Sequence, residues 1–144
     1  EWITDNIKPG DSVVDYGCGS GILAIAAAKM GASKVYGVDI DPIALEVSLN
    51  NAKKNHIPVD KFELFLNDQK LDIKADIVIA NILANPLIEL APVLAGLVKP
   101  GGKIVLSGLL AEQAPSIQAR YAAWFSDFTV ARQAEWVRIT AILS

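Results

Sequence analysis

The sequence predicts an α/β fold: a doubly wound, mostly parallel sheet of seven strands that finishes in an antiparallel hairpin. Three observations carry this. Apolar runs such as Ile77-Val78-Ile79 alternate with stretches of helical periodicity, as strands buried on both faces do. The stretch Ser12–Ile22 joins an apolar run to a nearly all-apolar segment through three alternating glycines, which reads as strand, glycine turn, helix. Near the C-terminus, Phe128–Arg132 and Trp136–Ile142 are strand-like runs with a break too short for a crossover helix, so they pair antiparallel.

Taken in order, Glu1 to Ile7 puts Trp2, Ile3 and Ile7 on roughly one face and reads as the end of a helix, broken by Pro9-Gly10-Asp11. The first strand is expected over Ser12–Tyr16. A helix follows from about Ser20 to Met30, apolar almost all round and stopped by Gly31. A second strand over Lys34–Val38 ends in Asp39-Ile40-Asp41-Pro42, where Asp41 is an N-cap and Pro42 the first helical residue. That helix runs to about Lys54, with Leu45, Leu49 and Ala52 at helical spacing. A third strand over Phe62–Leu66 ends at Asn67-Asp68, and a fourth over Ala75–Ala80 ends at Asn81. The next helix, over about Leu87–Val98, contains Pro92, which either kinks it or marks its start. Lys99-Pro100-Gly101-Gly102 reads as a turn and Lys103–Ser107 as the fifth strand. Gly108 then opens a short loop, and a helix spans about Pro115 to Ala123.

Composition narrows the function. With 144 residues, 52% of them hydrophobic and 20% charged, the chain fits one domain with a real core. Lys29, Lys34 and Lys99 interrupt its apolar regions, so no run reaches the ~18 residues of a membrane span. A net charge of −3 with no basic run gives no nucleic-acid platform and leaves no direct nucleic-acid contact expected. The single Cys18 excludes an internal disulfide and a multi-cysteine metal site, and fits a reducing, cytoplasmic setting. The absence of an initiating methionine suggests an excised domain.

The glycine turn can be sorted by ligand. The geometry brings a ligand against backbone N–H groups at a helix N-terminus. A phosphate-binding Gly-x-x-x-x-Gly-Lys-Ser/Thr loop would need a lysine that is not there. The dinucleotide pattern Gly-x-Gly-x-x-Gly fits Gly17 and Gly19 but places Ile22 where its third glycine belongs; the third glycine here is Gly21. Asp15, two residues before Gly17, repels a diphosphate and suits an ammonium group. Asp39, at the end of the neighbouring strand, can take both hydroxyls of a ribose, and Ile40 can lie on an adenine face. Asn67 and Asp68 can meet the adenine edge, although Asp68 reads first as a turn residue. Asn81 faces the same crevice from the fourth strand. Cys18 reads as a small filler, His56 as a solvent-exposed loop residue, and Trp124 and Trp136 as packing residues. No metal site is expected.

The pattern Asp15-x-Gly17-x-Gly19-x-Gly21 resembles the first motif of class I S-adenosylmethionine-dependent methyltransferases, which have a Rossmann-like fold. Five segments together resemble one narrower family, the bacterial methyltransferases of ribosomal protein eleven of the large subunit. These are residues 13–29, Val-Asp-Ile-Asp-Pro-Ile-Ala at 38–44, Ala-Asn-Ile-Leu-Ala-Asn-Pro-Leu at 80–87, Leu-Ser-Gly-Leu-Leu-Ala-Glu-Gln-Ala at 106–114 and Glu-Trp-Val-Arg-Ile-Thr at 135–140. The resemblance implies methyl transfer from S-adenosyl-L-methionine to lysine and N-terminal amino groups of that ribosomal protein, with Gly17, Asp39 and Asn81 as cofactor contacts. Asn81 stands where N-methyltransferases of amides and nucleobases begin their Asn/Asp-Pro-Pro-Tyr/Phe motif, and is the expected orienting residue for the amine or the cofactor's methionine end. Family members also carry an N-terminal recognition domain and a linker threonine, neither of which is in this sequence. The rival readings are a methyltransferase of the same fold acting on another protein, RNA or a small molecule, and a cofactor-binding fragment without turnover.

Overall fold

The computed structural model describes residues 6–67 and 71–144. Seven strands form one sheet: β1 (Ser12–Tyr16), β2 (Lys34–Asp39), β3 (Phe62–Leu66), β4 (Ala75–Asn81), β5 (Val98–Leu110), β6 (Phe125–Gln133) and β7 (Trp136–Leu143). Among the described residues four α-helices connect them: α1 (Ile22–Lys29), α2 (Pro42–Lys54), α3 (Ala84–Gly96) and α4 (Ala114–Tyr121). The strand order is β3-β2-β1-β4-β5-β7-β6. Strands β1 to β5 pair in parallel, and β7 runs antiparallel to both β5 and β6. This is the doubly wound, mostly parallel sheet with a terminal hairpin that the sequence predicts. The expected helix end at residues 1–7 lies outside the described residues apart from Asn6 and Ile7.

Strand alternation sorts the core into two layers. Val13, Val35, Ile77, Ile79 and Val105 pack with Ala24, Ile25 and Ala27 of α1 and Ala52 of α2. Val14, Val38, Val78, Ile104 and Leu106 pack on the other side with Leu87 and Leu94 of α3 and Ile117 and Tyr121 of α4. Strand order reverses between β1 and β4, so the ends of those two strands flank the crevice in which open α/β sheets bind ligands.

Several boundaries differ from the sequence expectation, each for a physical reason. Helix α3 starts at Ala84, not Leu87, because Pro86 sits in the first turn, where its missing N–H has no intrahelical partner to lose. Pro92 lies inside α3 and does not mark its start. The bond it cannot make leaves the Ile88 carbonyl free, and Arg120 Nε of α4 donates to that oxygen at 3.1 Å. Strand β5 absorbs both the expected turn at residues 99–102 and the expected loop at Gly108. Its register with β4 jumps from Ala75↔Val98 to Ile77↔Lys103, so residues 99–102 bulge opposite Asp76. Beyond Gly108 the strand continues because β7 pairs with it, Leu109↔Val137 and Leu110↔Trp136.

Candidate functional site

The turn after β1 is held in left-handed conformations at Gly17 (φ 80°), Gly19 (φ 56°) and Gly21 (φ 85°). Only glycine enters that region freely. At Gly17 a Cβ would also lie 2.7 Å from Cγ2 of Ile82, so the glycine lets the end of β1 close against the residue that follows β4.

The turn's N–H groups are directed differently from the sequence expectation. Gly17 and Cys18 both donate to the Val38 carbonyl of β2, at 2.7 and 3.0 Å, and Gly21 donates to Cys18 O at 2.9 Å. Gly19 donates to Oδ2 of Asp39 at 2.8 Å. Four of the donors that an anion would need are therefore already used inside the protein. This corrects the picture of a ligand resting on the turn's N–H groups, and it disfavours a diphosphate more strongly than the glycine spacing does.

Asp39 closes β2 with both carboxylate oxygens fixed: Oδ2 by Gly19 and Oδ1 by the Asp41 N–H at 3.1 Å. Each oxygen keeps a lone pair for a further donor. Asp41 caps α2 as expected, its Oδ1 accepting from Ile43 N–H at 2.9 Å, with Pro42 at the first helical position. Between them Ile40 is 73% exposed, an apolar side chain open to solvent. The Asn67 N–H donates to Asp39 O at 3.0 Å, which brings the end of β3 to the same edge. Asp68 lies outside the described residues.

Asp15 is the unusual group. It is 1% exposed, on the α1 side of β1, and neither carboxylate oxygen has a hydrogen-bond partner. Burial raises its pKa from 3.8 to about 7; the Ala24 N–H nearby offsets part of that rise, and the Asp39 charge adds to it. A buried carboxylate with unused lone pairs fits a cationic group or a water that serves one. Cys18, as expected, fills space: it is buried, its Sγ lies 3.7 Å from Ser48 Oγ, and burial pushes its thiol up to about 11, far from a reactive thiolate.

Across the switch point, Asn81 ends β4 in register with Ser107 of β5. A Cβ at Gly108 would lie 2.9 Å from Asn81 Oδ1, so that glycine makes room for the amide. Asn81, Ser107 and Gly108 line one end of a groove of about 890 Å³ that runs between α1 and the hairpin past Ile22, Trp136 and Arg138. Trp136 is 51% exposed at its rim, not a packing residue as the sequence suggested, because it opens β7 beside the tight turn from β6. Trp124 is half-buried against the α3/α4 core, and His56 is exposed in its loop. Sequence reasoning missed Ser48 and Asn51 of α2. Ser48 Oγ donates to Gly19 O at 2.7 Å, and Asn51 Nδ2 donates to Ser20 O at 2.9 Å. The available signal was a serine and an asparagine three residues apart on the face of a helix that turns inward.

Fold and crevice define a class: a Rossmann-like α/β protein with a crevice at the switch point of its sheet. Residues 1–143 match the family described as ribosomal protein L11 methyltransferase (PrmA), and the chain belongs to that family. It is 51% identical over 142 residues to the ribosomal protein L11 methyltransferase of Cellvibrio japonicus, covering 99% of this chain and 48% of that protein. The counterpart from Pseudomonas fluorescens is 50% identical over 140 residues, again with 48% of its length matched. The chain thus spans about half the length of the curated relatives it matches. Among solved structures, the ribosomal protein L11 methylase of Lactobacillus delbrueckii subsp. bulgaricus superposes with a TM-score of 0.87 at 31% identity, covering 99% of this chain and 74% of that one. An RNA methyltransferase from Salinibacter ruber, solved in complex with S-adenosyl-L-homocysteine, shares the fold at a TM-score of 0.75 and 23% identity over 96% of this chain and 84% of its own.

Proposed function

We propose that this chain is the cofactor-binding and methyl-transferring part of an enzyme that moves methyl groups from S-adenosylmethionine to lysine and N-terminal amino groups of ribosomal protein L11. The observation that carries the reading is the contrast at the switch point. A buried, unpartnered Asp15 lies under a turn whose N–H groups are already engaged, which favours a cationic ligand over an anionic one. The relatives' names supply the acceptor, and such a substrate implies action in the cytoplasm.

Each residue then has a task. The free lone pairs of Asp39 accept the two ribose hydroxyls, and Ile40 covers one face of the adenine, with Asp68 placed at its edge on sequence grounds alone. Gly17, Gly19 and Gly21 allow close approach of the amino acid end, whose ammonium Asp15 serves directly or through water. The bound cofactor supplies an electrophilic methyl group on a sulfonium. Asn81 orients the incoming amine for in-line attack, where alignment is the main source of rate. The amine must arrive neutral. The groove favours that form, because its apolar wall desolvates an ammonium and its charged lining residues, Lys29, Arg132 and Arg138, are all cations.

The first test is thermal. S-adenosylmethionine should raise the melting temperature of the chain, and NAD should not. Asp39→Ala should weaken the binding by about 1.5–3 kcal/mol, the range for hydrogen bonds to a charged group. Unchanged affinity would remove Asp39 from the site. Transfer of labelled methyl groups to purified L11, set against RNA and small amines, tests the acceptor.

A further inference from the structure

Helix α2 touches the glycine turn along its flank. Ser48 is fully buried, and its hydroxyl donates to the Gly19 carbonyl at 2.7 Å. One turn further on, the Asn51 amide donates to the next carbonyl, that of Ser20, at 2.9 Å. The contact is tight. A Cβ on Gly21 would lie 3.1 Å from both Cβ and Oγ of Ser48, so the third glycine is needed where the turn is pressed against this helix. A buried serine on an inward helix face has an apolar alternative at no cost in packing, and alanine would fill almost the same space. The serine makes sense for what it holds.

We infer that Ser48 and Asn51 are positioning residues for the amino acid end of the cofactor, an inference that rests on the methyl-transfer reading of this site. By taking the carbonyls of Gly19 and Ser20 toward α2, they fix the peptide planes of the turn and hence the shape of the surface it presents to the ligand. The same helix begins at Asp41, whose N–H steadies the Asp39 carboxylate. One rigid element therefore sets both halves of the site: its start fixes the ribose acceptor, and its flank fixes the turn around the amino acid end. The two halves are separable, because the side-chain hydrogen bonds of Ser48 and Asn51 go to Cys18, Gly19 and Ser20 of the turn and not to Asp39. Removing them leaves Gly19 with its N–H still bonded to Asp39 but with an unsatisfied carbonyl that is free to rotate.

The test uses two ligands that differ only at that end. S-adenosylhomocysteine carries the amino acid group, and 5′-methylthioadenosine lacks it. Their affinities for the unmodified chain, Ser48→Ala and Asn51→Ala are measured by calorimetry, with melting temperatures taken alongside. The expected result is about a tenfold loss for S-adenosylhomocysteine in each variant, with 5′-methylthioadenosine changed less than twofold. A variant that merely loosens the fold would weaken both ligands in step, and that outcome overturns the positioning role. So does Ser48→Ala binding both ligands as the unmodified chain does. Asn51, which is only half-buried, provides the same readout with little risk to folding. If the unmodified chain binds neither ligand, the methyl-transfer reading itself falls and takes this inference with it.

Discussion

The two faces of the sheet have interiors of opposite kinds. On the α3/α4 face, Leu87, Leu94, Ile104, Leu106, Ile117 and Ile139 are fully enclosed, and the Tyr121 hydroxyl donates to Leu87 O at 2.6 Å. On the α1/α2 face lie Asp15 and Ser48, the buried polar residues among those described. One face is optimised for burial. The other keeps a carboxylate without a partner, a feature that lowers stability and makes sense if a ligand uses it. In this protein stability and recognition are divided between the two sides of one sheet.

That division can be broken experimentally. The largest expected effect is on the apolar face: Leu94→Ala should cost about 3 kcal/mol of unfolding free energy in urea, because the site cannot collapse around the lost atoms. It should leave the ratio of S-adenosylhomocysteine to 5′-methylthioadenosine affinity untouched; a changed ratio would mean that the faces are coupled. Asp15→Asn is the converse. Because the folded-state pKa is raised to about 7, the folded chain holds a proton between about pH 4 and 7 that the unfolded chain has released. Stability therefore falls as pH rises through that window. The variant should be more stable than the unmodified chain at pH 8, with the gap closing toward pH 4, while ligand affinity drops. Loss of stability at pH 8 would show that Asp15 is satisfied in the folded protein. The smallest effect is Tyr121→Phe, which removes one buried hydrogen bond and should cost about 1 kcal/mol with no change in binding.

The sequence was most informative where a local pattern determines the geometry. Strand β3 was legible residue for residue, and β1 and the Asp41–Pro42 start of α2 were equally plain, because apolar alternation and capping chemistry are local. Asp39 and Asn81 could be placed at one crevice because the strand order follows from the β-α alternation. What was hidden depends on contacts between distant segments. The length of β5 is set by β7. The inward turn of Ser48, in place of the more apolar Leu49, which is 36% exposed, is set by the glycine turn it must reach. The use of the turn's N–H groups by Val38 and Asp39 is equally invisible, since glycine spacing says where a turn bends and nothing of what its amides already hold.

The double anchoring of Asp39 has a consequence for how binding proceeds. A surface aspartate normally samples several rotamers and surrenders that freedom when a ligand arrives. Here the Gly19 and Asp41 N–H groups hold the carboxylate in place through contacts within the protein itself. Recognition of the nucleoside should then be preorganised, carrying little entropic cost at this residue and needing no rearrangement of the β2–α2 corner. Structures with and without a bound nucleoside should superpose at that corner, and any adjustment on binding should fall on the groove beyond Asn81.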